Sequence, residues 1–137
     1  MIITGVTSTA LLLILVTLLI LFLVVLKPTV PGPPTNLKIN DALTSSTEVA
    51  FSWDAPSDDG RREVIDYTVQ VIDDKASFSN QINGIKETSY QLTTGVSAGK
   101  RYEFRVSARN KVGLGEYSSV LTIQAESSPS NEVNDSA

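Results

Sequence analysis

No histidine and no cysteine occur anywhere in the 137 residues. Their absence removes the commonest general base, the commonest metal ligand and the most reactive protein nucleophile. Zinc, haem and iron–sulfur centres rely on those side chains, so no metal or cofactor is expected. Disulfide bonds are impossible, and a domain of this size can fold on a hydrophobic core alone. Basic clusters are also scarce. The basic doublet Arg61-Arg62 is followed at once by Glu63 and reads as a solvated loop. The formal net charge is −4, and three acids, Glu126, Glu132 and Asp135, stand in a C-terminal stretch without Lys or Arg. The rest of the chain is therefore close to neutral, which argues against nucleic acid as a partner.

What the chain has in excess is one apolar run. From Met1 to Leu26 there is no charged side chain, and from Leu11 to Leu26 only Thr17 is polar. A helix from Val6 to Leu26 would be roughly 30 Å long, the thickness of a bilayer core. Apolar residues cover every face of that helix, whereas a helix on a soluble core would show a stripe. Residues 1–26 are therefore expected to be a transmembrane helix, with Leu11, Leu15, Leu19, Phe22 and Leu26 among its lipid-facing residues. A cleaved signal peptide would carry a positive start, an apolar stretch of about 7–15 residues and small residues at the cleavage point. Here the start lacks Lys and Arg, the run is longer, and Val24-Val25-Leu26 offers no small side chain. Those features favour an uncleaved, single-pass anchor. Lys27 is the one charge near the helix, and the positive-inside rule would put it, together with the sandwich, on the cytoplasmic side. One lysine leaves the side open, as does the terminal sequon Asn134-Asp135-Ser136. Thr4, Gly5, Thr7, Ser8 and Thr9 suit an interfacial helix start, or a close-packing face against another helix.

Residues 27–35 hold four of the six prolines. They should end the helix and form a short, stiff linker. Beyond them come short segments of period-two alternation, separated by Gly, Asn, Asp and Ser, which is the pattern of an all-β sandwich. Leu37 and Ile39 alternate first, then Val49, Phe51 and Trp53, then Ile65, Tyr67, Val69 and Val71. Residues 73–87 are weaker, with Phe78 and Ile82 as inward positions. Tyr90 and Leu92 mark the next strand. Tyr102, Phe104, Val106 and Ala108 mark the strongest, and Leu121 and Ile123 the last. Residues 36–124 form the expected sandwich. Residues 125–137 are too polar to fold alone.

The motifs inside these strands resemble a fibronectin type III domain. Pro33-Pro34-Thr35-Asn36-Leu37 is similar to the start of that domain, and Val49-Ala-Phe-Ser-Trp53-Asp-Ala-Pro56 to its second strand. Ile65-Asp-Tyr67-Thr-Val69 resembles the third. Thr88-Ser-Tyr90-Gln-Leu92 and the stretch from Gly99 through Tyr102, Phe104, Val106 and Asn110 to Ser118 are the most specific matches. Val96 stands where the family usually has Leu. The resemblance implies a seven-stranded immunoglobulin-like sandwich, with Trp53 packed between the sheets and Tyr102 forming a tyrosine corner. Trp53, Tyr67, Leu92, Tyr102, Phe104 and Val106 are then structural core. The loop from Asn110 to Gly115 need only make a turn.

Chemistry is hard to place in such a chain. Asp58-Asp59 and Asp73-Asp74 lack the spaced acids of an EF-hand loop. No Gly-rich phosphate loop lies between a strand and a helix. The chain is therefore read as non-catalytic. Two roles remain open. One is a membrane-anchored interaction or scaffolding module that binds other proteins through faces, loops or an edge strand. The other is a structural subunit of a large assembly, homo- or hetero-oligomeric. Candidates are a minor virion protein linking membrane to capsid, an accessory subunit of a membrane complex, or a pilin-like subunit, the last weakened by the missing charged leader.

Overall fold

The structure, a computed structural model, describes residues 7–72 and 80–130. Thr4, Gly5, Phe78, Asp73-Asp74, Glu132, Asp135 and the sequon lie outside the described residues.

Helix α1 runs Ser8–Val25, about 27 Å at the usual rise. The Thr7 hydroxyl caps it by accepting the Ala10 N–H at 3.4 Å. The one polar side chain within the apolar run, Thr17, donates its hydroxyl to the Leu13 carbonyl at 2.7 Å. That bond removes the cost of a free hydroxyl in an apolar setting. Leu26 is the C-cap, and Pro28 prevents continuation. No helix residue is buried. Leu11, Leu15, Leu19, Phe22 and Leu26 are all exposed, from 42% at Leu26 to 60% at Phe22.

Among the described residues, eight strands lie beyond the helix: β1 Thr35–Ile39, β2 Val49–Asp54, β3 Asp66–Ile72, β4 Asn80–Ile85, β5 Ser89–Leu92, β6 Arg101–Arg109, β7 Leu114–Tyr117 and β8 Leu121–Gln124. One sheet has the order β1-β2-β5. The other has the order β4-β3-β6-β7, with β8 also paired to β6. Every pairing is antiparallel. The expected seven strands become eight because the last is divided in two. β7 lies against Ser107 and Arg109, and β8 against Arg101–Phe104. At the break, the Ser118 hydroxyl takes the place of a backbone carbonyl and accepts the Val106 N–H at 3.0 Å. The loop expected from Asn110 to Gly115 is correspondingly shorter, since β7 already begins at Leu114.

The core lies between the sheets. Phe51, Phe104, Val69 and Val106 are essentially inaccessible, and Trp53, Tyr67 and Tyr102 are at most 5% exposed. Phe51 on one sheet meets Phe104 on the other at 4.7 Å between ring centroids. Trp53 packs edge-on against Tyr67 at 5.3 Å. Such offset contacts suit the ring quadrupoles. Leu92 is half-buried at the rim of this cluster. Ile65 departs from the expected alternation: it is 37% exposed and precedes β3. Its N–H bonds to the Arg109 carbonyl at 2.7 Å, so it extends the end of the β3–β6 ladder without filling the core. The polar tail also starts later than expected. Ala125 is 2% exposed, and Ala125 and Glu126 donate N–H bonds to the Lys100 and Ser45 carbonyls.

Candidate interaction surface

Tyr102 forms the corner that the sequence motif implied. Its phenol donates to the Gly95 carbonyl at 3.2 Å and accepts the Ser97 N–H at 2.8 Å. The corner ties the β5–β6 connection to the core. Tyr102→Phe is expected to cost about 1–2 kcal/mol in a denaturant titration, because two bonds are lost and the ring stays.

Asp66 opens β3 and is 3% exposed. Its carboxylate is gripped in a fork by Arg109, whose Nε lies 2.8 Å from Oδ1 and whose Nη2 bonds Oδ2. The Arg109 bond holds the Asp66 carboxyl below its ordinary value of 3.8, against the opposing effect of burial. A depressed value means that the bridge contributes fully above pH 3.8 and is lost as pH falls below it. Asp66→Asn should therefore lower the melting temperature at neutral pH and flatten its fall on acidification, as followed by circular dichroism.

The pole of the sandwich beside α1 carries the most unexpected arrangement. The proline-rich segment is docked along the domain and is not a free spacer. The Thr29 N–H bonds the Gly60 carbonyl at 2.9 Å, and the Gly32 N–H bonds the Asp58 carbonyl at 2.8 Å. Pro31 and Pro34 are fully buried. Asn110, 2% exposed, is the clasp. Its Nδ2 donates to the Thr29 carbonyl at 2.7 Å and to the Asp59 carbonyl at 2.8 Å. Its Oδ1 accepts the Val112 and Gly113 N–H groups at 2.9 and 3.2 Å. Two glycines let the segment approach. A Cβ at Gly115 would lie 2.1 Å from the Pro31 carbonyl oxygen, and one at Gly60 would lie 2.1 Å from that of Thr29. The sequence motifs pointed to none of these roles, although Asn110 and Gly115 stood within the motif itself.

Elsewhere, the two sheets part between the edge strands β4 and β5. The cleft there holds about 410 Å³ and is lined by Val71, Ile82, Tyr90, Leu92 and Tyr102, among others. Burial raises the Tyr90 hydroxyl above its ordinary value of 10.0. Among the described residues, no group of three or more Asp or Glu could hold a metal ion.

Two antiparallel sheets in this order, closed by a buried tryptophan and a tyrosine corner, define an immunoglobulin-like sandwich. The sequence profile of the Fibronectin type III domain matches residues 32–124, and the chain belongs to that family. It is 38% identical to titin of Drosophila melanogaster over 88 residues, 64% of this chain and 0% of titin to the nearest per cent. It is 38% identical to slow-type myosin-binding protein C of Homo sapiens, over 63% of this chain and 7% of that protein. It is 35% identical to receptor-type tyrosine-protein phosphatase F of Danio rerio, over 74% of this chain and 5% of that protein. Among solved structures, it resembles the twitchin kinase region of C. elegans with a TM-score of 0.61 and 27% identity. That match covers 72% of this chain and 17% of the other. A crystal structure of titin domains gives a TM-score of 0.60 at 28% identity, covering 71% and 32% of the two chains. The chain thus matches a small part of each curated relative.

Proposed function

We propose that this protein is a non-catalytic, single-pass membrane-anchored module that holds a fibronectin type III sandwich at a bilayer surface to bind another protein. The observation that carries this reading is the junction between the two parts. An uncharged helix of 18 residues with mean hydropathy 3.0 and no buried residue passes into the sandwich within a few residues. An apolar helix that the sandwich does not cover needs another apolar medium. Anchoring confines the domain to two dimensions and raises its effective concentration near partners in the same membrane. Family membership supports a binding role: one of the relatives above, slow-type myosin-binding protein C, is named for binding myosin. The sandwich faces, the cleft between β4 and β5, and the edges of those strands are the surfaces on which a protein partner would add contacts or a strand.

Gentle detergent extraction from native membranes, followed by sizing and mass spectrometry, tests this role. The expected result is a small species with sub-stoichiometric companions. A large particle of constant composition would instead make the chain a structural subunit of an assembly.

A further inference from the structure

We infer that the helix-proximal pole of the sandwich is a second membrane contact, which seats on the phosphate headgroups of an anionic lipid surface. The inference rests on the anchor reading and adds a binding surface to it.

The first reason is reach. Only Lys27 and Pro28 separate the helix C-cap, Leu26, from Thr29, which is already bonded to the sandwich. That stretch spans roughly 10 Å at full extension. The headgroup layer on each side of a bilayer is itself about 5–8 Å deep. The pole holding Gly60 and Asn110 therefore lies within or against the headgroups whenever α1 spans the membrane.

The second reason is chemistry. The residues next to the two anchor points are cations: Arg61 and Arg62 follow Gly60, and Lys111 follows Asn110. With Lys27 they form an exposed group, and no ion pair engages any of them among the described residues. Arg62 and Lys111 line a shared recess of about 230 Å³ with Glu63 and Ile65. Three acids, Asp58, Asp59 and Glu63, share this loop and leave the group with a net positive charge of one, and two of them also hold the loop's own backbone. Asp58 Oδ1 accepts the Gly60 N–H at 2.9 Å, and Asp59 Oδ1 accepts the Arg61 N–H at 2.8 Å. Exposed aliphatic groups stand among the cations: Val112 at 49%, Val30 at 39% and Ile65 at 37%. Cations beside aliphatic tips suit an interface where phosphate meets the acyl boundary.

The chain contains no cysteine, so single labels can be placed without background. Full-length protein carrying a fluorophore at Val112→Cys, or separately at Leu19→Cys, is reconstituted in vesicles of phosphatidylcholine, alone or with equal phosphatidylserine. Quenchers are placed on lipid headgroups or on acyl chains. The expected result is acyl-chain quenching at position 19 and headgroup quenching at position 112, stronger with phosphatidylserine. Arg62→Glu with Lys111→Glu should cut the quenching at position 112 by about half or more, since each basic group near an anionic surface adds to the attraction. Lys100→Glu with Arg101→Glu makes the same charge change at the other end of β6, about 27 Å away, and should leave it unchanged. Quenching at position 19 with none at position 112 overturns the headgroup contact and leaves the anchor standing. Quenching at 112 that is indifferent to charge reversal and to phosphatidylserine overturns the electrostatic seat. Quenching at neither position overturns the anchor and the contact together.

Discussion

Trp53→Ala is expected to destabilise the sandwich by about 3–5 kcal/mol, the usual cost of emptying a buried aromatic site. A domain of this kind has roughly 5–15 kcal/mol in all, so a parent near the lower end of that range would be left with little stability. The reason is position. Trp53 is 3% exposed and touches Phe51 in its own sheet at 5.6 Å and Tyr67 in the other at 5.3 Å. Its removal opens a void that spans both sheets. Its Nε1–H is buried with no hydrogen-bond partner among the described residues, so the side chain acts through packing and not through a polar anchor. Trp53→Phe should accordingly recover a large share of the loss, because it removes the unpaired donor and keeps an aromatic ring. Guanidinium titrations of the three proteins check the order: parent, then Phe, then Ala. An alanine variant that melts with the parent would contradict the packing role.

Asn110→Ala is expected to cost about 2–4 kcal/mol, and its effect should reach the proline segment. The substitution deletes four hydrogen bonds at a buried site, two of them to carbonyls of Thr29 and Asp59. Four backbone groups, the Thr29 and Asp59 carbonyls and the Val112 and Gly113 N–H groups, would then lose this partner. Hydrogen exchange provides the specific readout. Protection at the Thr29 and Gly32 amides should collapse in the variant, while the β3 and β6 amides keep theirs. Gly115→Ala should undock the same segment by a different route, since the added carbon would sit 2.1 Å from the Pro31 oxygen. Gly99→Ala serves as the contrast. Gly99 has φ +73 but, among the described residues, nothing within 4 Å of the added carbon, so only the backbone strain of about 1–2 kcal/mol is expected.

The sequence carried the sandwich where its signal was local. Alternation from Val49 to Trp53 and from Tyr102 to Ala108 marks strands whose inward residues are buried. Local pattern failed where distant partners decide the outcome. Ile65 continues the alternation of β3, yet the ladder begins one residue later and leaves it half-exposed. The division of the last strand depends on the Ser118 hydroxyl meeting Val106, which composition does not encode. The proline segment read as a spacer because its prolines specify extension and nothing more. Its docking depends on Asn110, 81 residues further along the chain. The helix was legible because charge-free length is itself the signal.

The central claim is that α1 stays on the chain and crosses a membrane. Alkaline carbonate washing of membranes from cells that express these 137 residues, with peptide mapping of the pellet, tests it most directly. The account predicts that the sandwich remains in the pellet with residues 1–26 attached. A soluble sandwich whose first residue lies beyond Leu26 would show that the helix is a removed signal, and would contradict the anchor.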